Sequence, residues 1–184
     1  MTTPVLIREA ELSDCRGVAQ IHVDAWRTAY RQIVDPGYLA SLSVERRERM
    51  WREAVASGSP RLLVARDGPS MLGWIAYGAC RDAHATRAQG EVWALYVAPA
   101  SWSLGVGRAL LQEALDRMAA SGFATASLWV MSGNARAIRF YRSGGFHVEA
   151  DSEQEFELGE QRVKEVRMSI ILTGAGSATV DGRA

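Results

Sequence analysis

The chain has 184 residues, with 21 Lys plus Arg against 21 Asp plus Glu; this length suits one domain with a substantial core, and the balanced charge excludes a global basic field for nucleic acid or an anionic membrane. Cys15 and Cys80 form no Cys-x-x-Cys pair and the three histidines are scattered, so no metal site is expected. Residues 1–10 carry Arg8 and Glu9 rather than an apolar export segment, and no apolar run is long enough to cross a membrane, so a cytoplasmic protein is expected.

In chain order, residues 5–8 read as a short strand. Ser13 then caps a helix from Asp14 to about Tyr30, with Val18, Ile21, His22, Ala25, Trp26 and Ala29 on one face. Pro36-Gly37 reads as a break. Ser43 caps a second helix to about Ala56, closed by Gly58-Ser59-Pro60. Residues 62–66 and 71–77 read as strands joined at Asp67-Gly68-Pro69-Ser70. A polar loop over 81–90 leads to a strand over 91–97, a helix over 105–120, a strand over 125–130 and a helix capped by Asn134. Two strands around 146–157 and 163–172 follow. The domain is expected to span 1–172, with a small, polar, disordered tail over 173–184.

The most informative segment is Trp102-Ser103-Leu104-Gly105-Val106-Gly107-Arg108, which turns a strand into a helix. The first amides of a helix lack intrahelical acceptors and sit at the positive end of its dipole, so they suit a phosphate. Glycines let the backbone approach closely, and Arg108 adds charge. A P-loop would need Lys and then Ser or Thr after the second glycine, where Arg108-Ala109 stands. A dinucleotide fingerprint would need Gly or Ala at Leu110 and an acidic residue near Leu128-Met131. Neither fits.

The segment resembles the acetyl-CoA signature Arg/Gln-x-x-Gly-x-Gly/Ala of the GNAT superfamily of N-acetyltransferases, with Trp102 departing from Arg or Gln. A second segment, Asn134-Ala135-Arg136-Ala137-Ile138-Arg139-Phe140-Tyr141 through Gly145-Phe146, resembles the same superfamily's Asn-x-x-Ala-x-x-Phe-Tyr-x-x-x-Gly-Phe. Asn134 suits a helix N-cap, Gly144 or Gly145 a stop, and Ala137 and Tyr141 share one helix face. Phe140 reads as a core aromatic and Tyr141 as functional.

The resemblance implies an α/β fold: a mostly antiparallel twisted sheet with a central parallel, splayed strand pair, flanked by helices. It implies acetyl-CoA as cosubstrate. Leu95, Tyr96 and Val97 would offer backbone groups to pantetheine, and Trp102 through Arg108 (Ser103, Leu104, Gly105, Val106 and Gly107 between them), with Asn134, Ala137 and Tyr141, would complete the cofactor site. Tyr141 resembles the family's general acid for the departing thiolate. A main-chain N–H of Tyr96 or Val97 would stabilise the oxyanion.

An alkyl amine, with a pKa of about 10.4, must lose a proton before attack. Glu91, which matches a position where family members carry a base glutamate, is the candidate base; otherwise it is a solvated strand start. In an extended strand it would share a face with Trp93, Leu95 and Val97. Trp26, Arg27, Tyr30 and Trp51 fall in the region that walls the acceptor side of this fold, with Trp51 read as core. Inward-pointing Trp93 and Trp129 would favour acetyl over longer acyl groups. Glu149, Asp151, Glu153, Glu155 and Glu157 alternate, so one extended strand would present them as an acidic stripe for a cationic acceptor; otherwise they are a solvated edge or a loop that breaks the alternation.

The expected function is transfer of an acetyl group to a primary amine by direct attack in a ternary complex. The acceptor would be a small-molecule or peptide amine, and the fold allows a homodimer by analogy. The alternative is a non-catalytic acyl-CoA-binding module, although such a module has no need of a phenol at the thiol.

Overall fold

The computed structural model describes residues 5–172; the expected disordered tail over 173–184 lies outside them. The elements are β1 (Leu6–Glu9), α1 (Cys15–Ala29), α2 (Pro36–Ser41), α3 (Val44–Ser57), β2 (Arg61–Asp67), β3 (Ser70–Ala79), β4 (Gln89–Val97), α4 (Val106–Ala120), β5 (Thr125–Met131), α5 (Ala135–Ser143), β6 (His147–Val148), β7 (Gln154–Leu158) and β8 (Gln161–Ile171).

Local chemistry accounts for most of these boundaries. The Ser43 hydroxyl accepts from the Arg46 amide at 3.2 Å to start α3, and Gly58 ends it at φ 70. Asn134 starts α5 by accepting from the Ala137 amide at 3.1 Å. Two expectations need correction. Ser13 does not cap α1: a short 3-10 turn over Leu12–Asp14 comes first, and the Asp14 carboxylate accepts from the Glu11 amide at 2.8 Å. Pro36-Gly37 begins a helix instead of breaking one, because the Asp35 carboxylate accepts from the Tyr38 amide at 2.9 Å and Pro at the first helical position sacrifices no intrahelical bond.

Among the described residues eight strands form one mixed sheet in the order β1-β2-β3-β4-β5-β8-β6, with β7 also paired to β8. Neighbours run antiparallel except β4 and β5, which are parallel. Alternation in β2 sets the layers. Leu62 and Val64 pack with Val18, Trp51 and Trp74 under α1 and α3, whereas Leu63 and Ala65 pack with Leu110, Ala114 and Met118 of α4. Helices thus cover both faces.

The sheet opens at its centre. β4 and β5 pair only over Gln89↔Thr125, Gly90↔Ala126 and Glu91↔Ser127. Beyond Glu91 the two strands diverge, while β4 continues to Val97 against β3. The β3–β4 register shifts so that Ala94 faces Ala76 and Val92 faces Tyr77, leaving Trp93 as the extra residue of a bulge. This breaks the expected face. Leu95 and Val97 pack with Val92 on the α4 side, but Trp93 packs with Ala94 and Tyr96 on the other.

The acidic stripe is also broken. Residues 149–153 form no strand, Asp151 turns at φ 54, and β7 begins at Gln154. Glu149 meets Arg167 at 2.7 Å, Glu153 meets Lys164 at 2.8 Å, and Glu155 and Glu157 face Lys164 and Arg162 across the ladder. Like charges are thereby interleaved with cations.

Candidate active site

The splay between β4 and β5 opens into a cleft of about 930 Å³ whose lining runs from the start of α4 to the far end of β5. At one end, Gly105 precedes α4 at φ 83, preceded in turn by Ser103 at φ 65. No side chain caps this helix, so its first amides stay available, and Ser103, Gly105, Gly107 and Arg108 line the cleft. Leu104 points to solvent and Val106 into the core, so these two could contribute only backbone. Arg136 and Arg139, three apart on α5, line the same end. Uncapped amides, left-handed backbone and three guanidinium groups fit a pyrophosphate.

Trp102 has a different task from the Arg or Gln of the signature. Its indole N–H donates to the Val97 carbonyl at 2.8 Å, and the Arg136 guanidinium stacks 4.0 Å from its ring centroid. The residue therefore ties the end of β4 to the turn and to α5, with its ring in the cleft wall.

Midway, three phenols converge. Tyr141 packs against Phe140 and Phe146 with centroids 5.1 and 5.8 Å away. Burial pushes its phenol well above the ordinary range, and Tyr30 adds to the shift. Burial likewise raises Tyr30, opposed by hydrogen bonding with Tyr96 and Asn134. Tyr96 is raised mainly by burial and then by Tyr30; its hydroxyl accepts from the Trp26 indole at 2.7 Å. All three stay protonated at neutral pH. Leu95, Tyr96, Val97, Asn134, Ala137 and Tyr141 all line the cleft. Phe140 does so too while packing on the core, its ring 3.5 Å from where a Cβ on Gly107 would stand.

At the far end, Trp26, Tyr30 and Trp93 line the cleft, together with Trp129, Met131, Phe156 and Glu165. Trp93 donates to the Ala79 carbonyl at 3.2 Å and Trp129 to Asp82 at 3.3 Å, which fixes both rings. Trp51 is core: it is buried, donates to His22 Nδ1 at 3.3 Å and meets Trp74 edge-on at 4.5 Å. Arg27 turns away from the cleft to donate to the Leu39 and Leu42 carbonyls at the end of α2.

Glu91 does not line the cleft, which corrects its expected position. It is 1% exposed and held by Arg81, whose guanidinium and main-chain N–H both donate to it, the latter at 2.9 Å. The physical reason is its position: β4 is still paired with β5 at Glu91↔Ser127, so the cleft, which opens only beyond that pair, begins at Val92. Sequence reading missed Arg136, Arg139, Phe156 and Glu165. The i, i+3 spacing of the two arginines was a usable signal; Phe156 and Glu165 depend on a strand register that spacing does not fix.

Among the described residues no helix is long and apolar enough to cross a membrane and no cluster suits a metal ion. Residues 18–146 match the sequence model of the Acetyltransferase (GNAT) family. The chain is 34% identical to the Bacillus subtilis uncharacterized N-acetyltransferase YuaI over 88% of this chain and 90% of the relative. It is 30% identical to the L-methionine sulfoximine/L-methionine sulfone acetyltransferase of Pseudomonas paraeruginosa over 80% and 83%. Its fold matches the crystal structure of the PaiA N-acetyltransferase from Thermoplasma acidophilum in complex with coenzyme A, with a TM-score of 0.74 at 21% identity over 92% of this chain and 99% of that one.

Proposed function

Since the chain belongs to the Acetyltransferase (GNAT) family and is therefore an acetyl-CoA-dependent acyltransferase, we propose that its cleft moves an acetyl group to a primary amine by direct attack within a ternary complex. One observation carries the reading: the uncapped, glycine-bounded start of α4 and the protonated phenol of Tyr141 line one continuous cleft through the splayed strand pair.

Acetyl-CoA, when bound, supplies an acetyl group activated as a thioester. The amides of residues 105–108, with Arg108, Arg136 and Arg139, would hold its pyrophosphate. The edge of β4 over residues 95–97, unpaired towards β5, would take the pantetheine amides, and an N–H of Tyr96 or Val97 would stabilise the oxyanion. The amine releases one proton to solvent in the open cleft and attacks the thioester carbonyl as the neutral form; the C–S bond then breaks, Tyr141, which keeps its proton at neutral pH, gives it to the departing sulfur, and the second proton lost by the nitrogen restores the phenol. Glu91 has no part in this chemistry, because its carboxylate is committed to Arg81.

The acceptor would be a small-molecule amine or a peptide amine. A cytoplasmic setting and a homodimer belong to the same proposal. Release of free CoA from acetyl-CoA, measured over pooled polyamines, aminoglycosides, amino acids, aryl amines and peptides, tests it. Release in one pool, slowed at least about tenfold in Tyr141→Phe, is expected. Silence in every pool, with acetyl-CoA still raising the melting temperature, would favour an acyl-CoA-binding module.

A further inference from the structure

We infer that Glu165 is the group that receives the acceptor, and that the acceptor is a primary amine carrying one positive charge and an aromatic or apolar body, with no carboxylate beside its nitrogen. This rests on the transferase reading above.

The ladder delivers Glu165 to the cleft. Residues paired across strands point to the same face, and Glu165 is opposite both Met131 of β5 and Gln154 of β7. Phe156, two residues beyond Gln154, shares that face, and Met131, Phe156 and Glu165 all line the cleft. Glu155 and Glu157 alternate with them and point away, and Glu153, just before the strand, is paired with Lys164. The hairpin of β7 and β8 is fixed in place because the Gln161 side chain donates to the Ile33 carbonyl at 2.9 Å and accepts from the Asp35 amide at 2.8 Å.

The charge balance identifies the ligand. Arg167 is taken by Asp82 and Glu149, Arg81 by Glu91, and Lys164 by Glu153. Glu165 alone among the cleft-lining residues is a carboxylate. Among the described residues its one polar partner is the neutral Gln154 side-chain amide, which donates at 2.8 Å. A carboxylate oriented by a neutral donor, half-buried among apolar groups, is best satisfied by a cation. The rings of Trp26, Trp93, Trp129 and Tyr30 on the same stretch of cleft suit an ammonium and the apolar body attached to it. A second carboxylate beside the nitrogen would be repelled there, because the arginines that line the cleft lie on α4 and α5. A polyamine would leave its further charges unmatched.

The test is calorimetric binding of phenethylamine and of L-phenylalanine, which differ by that carboxylate, to the protein saturated with free CoA. Phenethylamine is expected to bind at least about tenfold more tightly than phenylalanine, a difference of about 1.4 kcal/mol. Glu165→Gln should weaken phenethylamine about tenfold, raise its KM rather than lower kcat, and leave CoA affinity within twofold; Glu165→Asp should recover part of the loss. Equal binding of the two probes, unchanged phenethylamine affinity in Glu165→Gln, or CoA binding without binding of phenethylamine overturns the inference while the transferase reading stands. Failure of CoA itself to bind the wild-type protein overturns both.

Discussion

A catalytic acid must hold a proton that it can give, and a base must have a lone pair free to take one. Tyr141 meets the first condition, because burial and the neighbouring Tyr30 keep its phenol protonated. Glu91 fails the second in access: it is buried, both of its oxygens accept from Arg81, and it does not line the cleft. Tyr141→Phe should lower kcat about ten- to a thousandfold, with acetyl-CoA affinity nearly intact; a kcat within twofold of wild type would remove Tyr141 from the chemistry. Glu91→Gln should act on stability instead. It breaks a pair whose carboxylate is buried and whose guanidinium is half exposed, so the expected loss is about 1–3 kcal/mol in denaturant unfolding, with the pH profile of kcat unchanged. Loss of activity at full stability would restore Glu91 as a base. Tyr141 was legible through the family resemblance of the Asn134 segment, with helix spacing adding only that it shares a face with Ala137. Glu91 was misplaced because alternation along a strand does not say where neighbouring strands part, and β4 and β5 are still paired at this residue.

The start of α4 separates what glycine does for the fold from what it does for the ligand. Gly105 adopts φ 83 with open space around it, so Gly105→Ala should destabilise by about 1 kcal/mol through backbone strain alone. Gly107 is helical, and a Cβ there would meet Phe140 and Val97 at an ordinary 3.5 Å. Gly107→Ala should therefore fold as well as wild type or better, yet weaken CoA about tenfold if the backbone at this position meets the pyrophosphate. Thermal unfolding and calorimetry on one sample decide between the outcomes. This glycine turn and the Asn134 helix were readable as elements, because capping and positive φ are local. The Asp35-Pro36 helix start was misread because proline both ends and begins helices, and which it does depends on the capping carboxylate that precedes it. Of the readings open for the acidic residues, the loop that breaks the alternation is the one found, with its turn at Asp151; what spacing could not supply is that Glu155 and Glu157 find Lys164 and Arg162 across the hairpin.

At the level of the whole molecule, two cores back the two faces of the sheet, and the one under α1 and α3 contains a titratable ring. His22 is 5% exposed, stacks on Tyr96 at 4.9 Å and accepts from Trp51. Burial, and then Arg47, lower its pKa to about 3. The unfolded chain, with histidine near 6.5, binds the proton that the folded chain refuses, so stability is complete above pH 6.5 and falls as pH drops towards 3. The slope approaches about 1.4 kcal/mol per pH unit, or about 2 kcal/mol lost by pH 5. His22→Gln should flatten that dependence between pH 6.5 and 4.5. Below about pH 4, Asp14 adds a second loss, because Arg8 and Arg66 hold its carboxyl below the ordinary range despite its burial. Most of the order of strands and helices was legible from periodicity, apart from α2 and the division of residues 146–157 into β6 and β7, but the opening between β4 and β5 was expected only through family resemblance; strand pairing and register, which place Glu165 inside and Glu91 outside, are tertiary facts.

The most direct test of the account is a crystal structure of the protein with CoA. The pyrophosphate is expected on the amides of residues 105–108, pantetheine along residues 95–97, and the thiol sulfur within about 3.5 Å of the Tyr141 hydroxyl. A coenzyme bound outside the splay of β4 and β5, or a sulfur out of reach of Tyr141, would contradict it.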